Sequence, residues 1–504
     1  MPLAQAWSVA LFGMDGRMVE IEADIGGGTP KMVIVGLPDA ALNEAKDRVH
    51  AAIRNSGEEW PRRQITIGLS PAAVRKAGSG YDLALACVVL AAAGAVPEEP
   101  VRTTVMIGEL ALDGRIRDVR GILPCLLAAR RAGVKRAIVP ISALPEAALV
   151  TGMDIFGASE LRTVLAWLRG DEDALTIPGP YGSPSREDQP DLADVVGQPE
   201  ARWALEVAAA GGHHLLLVGP PGTGKTMLAR RLPALLPPLT HEQSLEVTAV
   251  HSVAGLLKPD TPLIKSPPFF APHHTTSVAA LVGGGVGIAK PGGISSAHRG
   301  VVFLDEACEF AADRLESLRT AMEEGEIRLA RRDGVVRYPA RFQLVLATNP
   351  CPCAPPRETE CECPPNTKRR YFAKLSGPFL DRVDIRVRMR PLTAMSTKDG
   401  EDPEPTDEVR KRVWQARDRA RQRWSGHGWT TNAEVPGPSL WREFALPRQA
   451  TALLNNGLKT GTLSGRGADR CLRVAWTLAD LAGADQPDAG HVATALDFRD
   501  RRAA

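Results

Sequence analysis

The eight residues GPPGTGKT near the middle of the chain restrict the possible fold more than any other stretch. They follow an apolar run, Leu215 to Val218, that predicts a short buried strand, and they precede Met227 to Leu232, which predicts the opening of a helix. In this order of strand, loop and helix, backbone N–H groups can wrap a phosphate chain at the positive end of the helix. The predicted phosphate-binding residues are Gly219, Pro220, Pro221, Gly222, Thr223, Gly224, Lys225 and Thr226.

An acidic pair after a second apolar strand adds the chemistry that a bound nucleoside triphosphate needs. Lys225 would reach the β- and γ-phosphates, and the Thr226 hydroxyl would hold Mg²⁺. The strand Val301 to Leu304 ends at Asp305, which would complete the Mg²⁺ shell, and at Glu306, which would orient or deprotonate the attacking water. The alternative is that two acidic residues simply end a strand. The predicted cofactors are ATP and Mg²⁺.

Arg382 is a candidate for a further contact with the phosphates. It lies in the string LSGPFLDRVD between acidic residues, so an internal ion pair is one interpretation. The other is an arginine finger inserted into the ATP site of a neighbouring subunit, a contact worth roughly 10³ to 10⁵ in rate. The second interpretation requires an oligomeric ring.

The composition limits the other function classes. A chain of 504 residues exceeds one hydrophobic core and suggests about three domains. The 61 basic and 59 acidic residues leave a net charge of +2, so a polyanion would be met by a local patch and not by the overall field. There is no apolar run of eighteen residues, and Met1 to Ala10 does not resemble a signal peptide. We therefore expect a cytoplasmic protein without a membrane span.

The first third of the chain alternates short β-branched runs with alanine-rich stretches. Strands are predicted at 32–35 and 64–67, and helices at 40–55 and 81–93. This alternation predicts an α/β domain.

Two strings in this domain resemble the proteolytic domain of Lon. They are RKAGSGYD at 75–82, and GEL at 108–110 followed by GRI and by the helical stretch 126–133. In that resemblance the serine position falls on Gly80 and the lysine position falls near Leu123, so neither the nucleophile nor its base is present. Ser79 lies one residue before the serine position, and a shift of one residue points its hydroxyl in a different direction. The expected role is that of a scaffold or docking domain that kept the fold without the chemistry.

The whole set of motifs resembles the ComM/YifB family of magnesium-chelatase-like AAA+ ATPases. The resemblance implies a Lon-protease-like α/β domain, an AAA+ α/β core with a parallel sheet, and a C-terminal helical lid. It also implies a homo-hexameric, ATP-driven motor on single-stranded or branched DNA, as in a branch-migration helicase. It rests on the phosphate loop, APHHT at 271–275, VVFLDE at 301–306, NPCPC at 349–353 and SGPFLDRVD at 376–384.

The resemblance assigns further nucleotide contacts. Gly197 and Gln198 fall in the segment that lies beside the adenine. Asn349 matches the position at which an amide senses the γ-phosphate, although a turn-forming Asn before a proline is the alternative. Arg466 aligns with the lid arginine that contacts the γ-phosphate. Arg473 is the alternative for that role, and surface pairing is another interpretation of Arg466.

Two segments of the central region are candidate DNA contacts. Phe269 and Phe270 lie in a stretch that resembles the helix-2 insert, which projects into the pore of the ring, where aromatic rings can stack on bases. Buried aromatics that stabilise the insert are the alternative. In 324–339, Asp333-Gly334 between β-rich arms predicts a hairpin. Its arginines would meet DNA phosphates, or form a solvated basic hairpin. The predicted contacts on it are Arg328, Arg331, Arg332 and Arg337.

Four cysteines form a CxC pair, a seven-residue spacer and a second CxC pair within thirteen residues. Four thiolates so close together in a reducing compartment suit a closed tetrahedral Zn²⁺ site, against free thiols or a redox pair. The other four cysteines lie in apolar contexts and are expected in the core. The predicted zinc ligands are Cys351, Cys353, Cys361 and Cys363.

The sequence predicts an inactive Lon-like domain at 1–170, a linker at 171–193, the AAA+ core at 194–391 and a helical lid at 392–504. Within the lid, apolar residues recur at helical spacing over 409–424 and predict a helix with one packed face. The leading functional hypothesis is a DNA translocase or helicase that hydrolyses ATP at subunit interfaces. A chelatase-type motor that inserts metal with partner subunits is the alternative. A Lon-like peptidase or protein remodeller is the third.

Overall fold

The computed structural model describes residues 3–36, 39–72, 76, 78–179, 190–258, 261–285, 289–331, 334–391 and 403–500. Over these residues a mixed N-terminal sheet is followed by a parallel central sheet and by a group of C-terminal helices. The predicted α/β class with a helical C-terminal region is confirmed.

The N-terminal region packs helices on a mixed sheet. Its strands are β1 Leu3–Phe12, β2 Asp15–Gly26, β3 Lys31–Val35, β4 Gln64–Ser70, β5 Thr104–Met106, β6 Glu109–Leu110, β7 Ile116–Arg117, β8 Arg136–Pro140 and β9 Asp154–Ala158. Its helices are α1 Ala40–Asn55, α2 Asp82–Ala92, α3 Glu98–Thr103, α4 Ile122–Arg131, α5 Leu144–Ala147 and α6 Leu161–Leu168. The main sheet has the order β3-β4-β2-β1-β5-β8-β9.

The predicted strands and helices of this region agree with the structure at α1, α2, β3 and β4. The two long strands β1 and β2 were not predicted. They pair antiparallel from Leu3 opposite Asp24 to Phe12 opposite Asp15, and a turn at Gly13 joins them. Along β2 the side chains alternate between buried and more exposed positions, as expected for a strand with one covered face.

The central region is built on a five-stranded parallel sheet of order β11-β14-β17-β10-β18. Its strands are β10 Leu215–Val218, β11 Phe269–Phe270, β14 Val301–Leu304, β17 Gln343–Thr348 and β18 Ile385–Arg388, and the small strands are β12 Gly283–Gly284, β13 Lys290–Pro291, β15 Glu326–Arg331 and β16 Gly334–Pro339. The helices are α7 Pro199–Gly211, α8 Lys225–Ala229, α9 Leu232–Leu235, α10 His241–Ala254, α11 Val278–Val282, α12 Gly293–Ser296, α13 Ala312–Glu324, α14 Pro365–Phe372 and α15 Gly377–Leu380.

The central strands are buried on both faces, which explains their continuous apolar sequences. Leu217 and Phe303 face one core, which also contains α7 and the C-terminal helices. Leu216 and Val302 face the other core, which contains α13 and the β15–β16 hairpin. The sheet therefore holds the C-terminal helices on one side and the hairpin on the other.

The C-terminal helices are α16 Thr406–Trp424, α17 Gly437–Arg442, α18 Ala452–Thr460, α19 Gly465–Ala482 and α20 Ala489–Asp500. The predicted apolar face of α16 is confirmed, since each of its members is buried. Those members are Val409, Val413, Ala416, Ala420 and Trp424.

The N-terminal region packs directly on the central region. Glu146 accepts hydrogen bonds from the backbone N–H of Leu123, at 2.7 Å, and from the Ser252 hydroxyl of α10, at 2.5 Å. At Gly13 the β1–β2 turn lies against the hairpin, and a Cβ atom there would come within 2.6 Å of Val336 Cγ1. None of the helices in the described ranges combines the length and the apolar character that crossing a bilayer requires.

Candidate functional site

The phosphate loop lies at the carboxyl end of β10 and continues into α8. Gly222 and Gly224 have φ angles of 76° and 89°, in the left-handed region that side chains other than glycine rarely adopt. The Lys225 ammonium donates hydrogen bonds to the carbonyl oxygens of Gly219, at 2.6 Å, and Pro220, at 2.8 Å. The sequence thus forms the predicted strand, loop and helix, with the lysine inside the turn.

The environment of Lys225 weakens its hold on a proton. Burial lowers its pKa to about 8, although the negative charges of Asp305 and Glu306 act in the opposite direction. A lysine with a strongly shifted pKa in such a loop is a candidate for binding an anionic ligand.

The acidic pair lies at the end of β14, two strands from β10 in the sheet. The Thr226 hydroxyl donates to Asp305 Oδ2 at 2.7 Å. A hydroxyl and a carboxylate so close together provide the oxygen ligands that Mg²⁺ prefers beside phosphates. The donor set therefore fits the predicted metal.

Glu306 occupies a constrained position beside this pair. Its φ and ψ angles of 50° and 47° are left-handed, which is uncommon for a residue other than glycine. Its Oε2 atom lies 3.6 Å from Nδ1 of His274, in the loop after β11. Sequence alone does not connect these two residues, because the contact depends on β11 and β14 being adjacent in the sheet.

Three of the other predicted nucleotide contacts, Asn349, Gln198 and Gly197, lie beside the same loop. Asn349, just after β17, accepts a hydrogen bond from Lys225 at 3.1 Å. Gln198 donates to the carbonyl oxygens of Thr223, at 3.3 Å, and Arg390, at 2.7 Å. Gly197 precedes it with a φ of 72°. The structure thus brings together side chains from four separate segments.

Arg382 lies elsewhere on the central region. Its side chain is buried, pairs with Glu323 of α13 and donates to the carbonyl of Pro378. In the single chain this is an internal ion pair, as in the alternative stated above, although the partner is not one of the acidic neighbours in sequence. Burial lowers the pKa of Arg382, and nearby positive charges, including Arg466, lower it further. Arg466 is exposed in the first turn of α19.

The β15–β16 hairpin is present, but its turn differs from the prediction. Arg331 pairs with Gly334, so the two residues between the paired positions are 332 and 333, and not 333 and 334. Arg332 lies outside the described residues. Arg328 and Arg337 are directly opposite each other and are 49% and 64% exposed. Oε1 of Glu326 lies 2.5 Å from Arg328 Nε and 4.0 Å from Arg337 Nη1.

Arg331 and the two phenylalanines are only partly exposed. Arg331 is half-buried and lies toward Gly284, where a Cβ would come within 3.5 Å of its Nη2. Phe269 and Phe270 form the edge strand β11 of the central sheet and do not belong to a projecting insert. Phe269 stacks on Phe303 with centroids 6.1 Å apart, and a Cβ on Gly293 would be 2.0 Å from the Phe270 ring. This packing favours the stated alternative, in which the two aromatics stabilise the fold, over rings that project into a pore.

The four clustered cysteines converge on one point. The sulfurs of Cys351, Cys353 and Cys361 lie 3.3 to 3.5 Å apart, and all four ligand sulfurs lie within 4.8 Å of one another. Four sulfurs bound to one Zn²⁺ at about 2.3 Å would be about 3.8 Å apart, so the cluster fits a tetrahedral zinc. The other four cysteines are buried, as predicted; these are Cys87, Cys125, Cys308 and Cys471.

The Lon-like strings do not form a serine–lysine pair among the described residues. The Ser79 hydroxyl donates to Glu109, and the buried Lys76 donates to the carbonyl oxygens of Leu69 and Pro71. Gly80 packs against Val119, to which its Cβ would be 3.2 Å distant. A peptidase site is therefore not assembled here.

A phosphate loop after β10, an acidic pair after β14 and an asparagine after β17, the strand between them in this parallel sheet, define a P-loop protein with an AAA+, magnesium-chelatase-like fold. Family comparisons agree. Residues 191–397 match "Magnesium chelatase, subunit ChlI", residues 21–143 match "Subunit ChlI of Mg-chelatase", and residues 403–499 match "Magnesium chelatase, subunit ChlI C-terminal".

The relatives are similar over the whole chain. An uncharacterized protein of Mycobacterium tuberculosis is 58% identical, with 99% of each chain covered. The protein YifB of Salmonella typhimurium is 40% identical over 99% of this chain and 97% of its own. Competence protein ComM of Haemophilus influenzae is 37% identical over 99% and 98%. The chain belongs to the ComM/YifB family of magnesium-chelatase-like AAA+ proteins, and this membership points to ATPase activity.

Proposed function

We propose that this protein is a hexameric, ATP-driven DNA translocase or helicase of ComM type that promotes branch migration in recombination or natural transformation. The observation that carries the ATP-dependent part is the convergence of Lys225, Thr226, Asp305, Glu306 and Asn349 on one phosphate loop. The DNA-dependent part is supported by the similarity to a competence protein and by the basic hairpin.

The residues of the loop have complementary roles in this proposal. Bound ATP supplies a transferable phosphoryl group, whose negative charge Mg²⁺ offsets. Lys225 exchanges its two carbonyl partners for phosphate oxygens, while Thr226 and Asp305 hold the metal. Glu306 orients a water molecule for attack, and His274 holds the Glu306 carboxylate from the side. Asn349 keeps contact with the lysine and the transferred group.

Hydrolysis at subunit interfaces gives a role to the two remaining arginines. Arg382 supplies positive charge to the nucleotide of the neighbouring subunit, a contact of the class worth roughly 10³ to 10⁵ in rate. Arg466, in the first turn of α19, contacts the γ-phosphate in this proposal, as its alignment with the lid arginine of the family implies. In the proposed ring Arg382 meets the ATP site of the adjacent subunit.

DNA contacts in this proposal are electrostatic. Arg328 and Arg337 form an exposed pair on one face of the hairpin, where they can bind backbone phosphates without reading sequence. Glu326 reduces their net charge, so binding should be weak and strongly dependent on salt.

The tetracysteine cluster has a structural role in the proposal. A zinc ion held by Cys351, Cys353, Cys361 and Cys363 fixes the loop that starts beside Asn349 and leads toward Arg382. This loop joins the γ-phosphate side of the site to the segment that carries the finger.

ATP turnover with single-stranded, duplex and four-way-junction DNA tests the proposal. We expect stimulation by DNA that is lost in Glu306→Gln. The double variant Arg328→Gln/Arg337→Gln should keep basal turnover but lose most of the stimulation. Arg421→Gln, which removes an exposed arginine of α16 paired with Asp418, is the matched control. Turnover that no DNA changes would contradict the DNA-dependent part.

A magnesium-chelatase-like motor is the second candidate, favoured by the family descriptions that match this chain. Such a motor drives metal into a porphyrin together with partner subunits. ATP turnover stimulated by chelatase partner subunits and porphyrin, and not by DNA, would favour it.

A further inference from the structure

The segment that carries Arg382 is held by the C-terminal helices. Arg499 of α20 donates from Nη2 to Asp381 Oδ1 at 3.0 Å and from Nη1 to the carbonyl oxygen of Val383 at 3.5 Å. Arg470 of α19 donates from Nη1 to Asp384 Oδ1 at 2.5 Å. The acidic residues on both sides of Arg382 are therefore paired with lid arginines.

These pairs are more than surface contacts. The side chains of Asp384 and Arg499 are only 2% and 9% exposed, and that of Arg470 is 17% exposed. Burial alone would raise the pKa of Asp384, but Arg470, His213 and His214 together outweigh it and lower the pKa. Removing one partner of such a pair leaves an uncompensated buried charge, so the geometry is held firmly.

Arg382 itself depends on this support. Its Nε atom is buried without a hydrogen-bond partner among the described residues, and its guanidinium has like charges nearby, from Arg319, Arg466 and Arg470. Glu323 and the carbonyl oxygen of Pro378 hold the two Nη atoms of Arg382 against this repulsion. The fixed backbone of 381–384 limits where the side chain can go.

The lid that holds this segment also contacts the nucleotide side of the same chain. Gln198, which bonds the phosphate loop, precedes α7, and Glu206 on α7 accepts two hydrogen bonds from Arg412 of α16, at 2.7 and 3.0 Å. On the same α16, Arg423 donates to Asp480 of α19 at 3.1 Å, so direct contacts lead from the phosphate loop through α7, α16 and α19 to the segment around Arg382.

We infer that Arg470 and Arg499 are positioning residues that tie the Arg382 segment to the lid, so that the lid sets how Arg382 reaches the nucleotide of the neighbouring subunit. This inference rests on the proposed function, in which Arg382 acts in the adjacent site. It assigns Arg470 and Arg499 to ATP hydrolysis in the neighbouring subunit and not to ATP binding in their own chain.

Mixing of inactive variants tests this assignment. Arg499→Gln should lower kcat about 10²-fold, the scale of a displacement near 1 Å, with little change in the KM for ATP. Lys225→Ala should abolish ATP binding but leave Arg382 intact. In an equal mixture of these two variants, Arg499→Gln subunits supply the intact phosphate loop and Lys225→Ala subunits supply the intact Arg382. In randomly mixed rings about one quarter of the interfaces combine the two, so the mixture should regain about one quarter of wild-type turnover. Arg499→Lys should retain most of the activity, and Arg421→Gln should match the wild type.

Asp381→Asn removes the partner of Arg499 at a 43%-exposed position and should behave as Arg499→Gln does, which guards against a folding defect. The pair Lys225→Ala with Arg382→Ala separates the two levels of the proposal. If that pair regains turnover but the Arg499→Gln and Asp381→Asn mixtures do not, the positioning role is wrong. If the Arg382→Ala pair itself regains nothing, hydrolysis across the interface is wrong, and the inference falls with it.

Discussion

The lowered pKa of Lys225 makes ATP affinity sensitive to mildly alkaline pH. In the free protein burial lowers this pKa from 10.5 to about 8. Phosphate oxygens favour the charged ammonium, so nucleotide binding should raise the pKa again. The charged form exists below the pKa. Between the two pKa values the free lysine is neutral while the bound lysine is charged, so binding takes up a proton and affinity falls as the pH rises.

The size of the effect follows from the pKa of about 8. The charged fraction of Lys225 in the free protein is about nine tenths at pH 7 and about one tenth at pH 9, so the Kd for ATP should rise about tenfold. Calorimetric titration in two buffers of different ionisation enthalpy measures both quantities. We expect nearly one proton taken up per nucleotide at pH 9 and almost none at pH 7.

Lys225→Arg is the matched control, because an arginine stays charged over this range. The variant should bind more weakly, but with an affinity that is constant from pH 7 to pH 9. A wild-type Kd that changes less than twofold over the same interval, with no proton uptake, would refute the reasoning about the buried lysine.

Three other predictions concern neighbouring features. Purified protein should contain about one zinc per chain, measured by atomic emission, and Cys361→Ser should lose most of it; a full zinc content in the variant would exclude the four-thiolate site. His274→Ala should lower kcat and leave the Kd for ATP nearly unchanged, since His274 contacts Glu306 and not the loop; an altered Kd alone would contradict this. Phe270 is only partly buried, so Phe270→Ala should lower the free energy of unfolding by about 2 kcal/mol in denaturant titration, less than a fully buried phenylalanine would. A stable variant with weaker DNA binding would instead restore the base-stacking interpretation.

Local sequence predicted the parts of the site that are contiguous in the chain. The phosphate loop needs a strand, glycines with positive φ and a helix N-terminus, and all of these lie between Leu215 and Ala229. The apolar face of α16 was predicted for the same reason, because helical periodicity relates residues three and four apart.

Long-range contacts were beyond reach, since they depend on strand order and on helix packing. Nothing near Arg382 in sequence indicated Glu323, and nothing near Asp381 indicated Arg499, 118 residues away. The family resemblance placed Phe269 and Phe270 in an insert. Two consecutive aromatics carry no period that could have indicated otherwise, and only their pairing with Val301 and Val302 identifies a strand.

ATP-driven movement of a DNA junction tests the central claim most directly. A labelled four-way junction with homologous arms should be resolved into two duplexes by wild-type protein with ATP and Mg²⁺, and should stay intact with Glu306→Gln or with ATP omitted. If the protein hydrolyses ATP but leaves the junction and simple forked duplexes unchanged, then it is not a motor on DNA, and the chelatase-like alternative gains support.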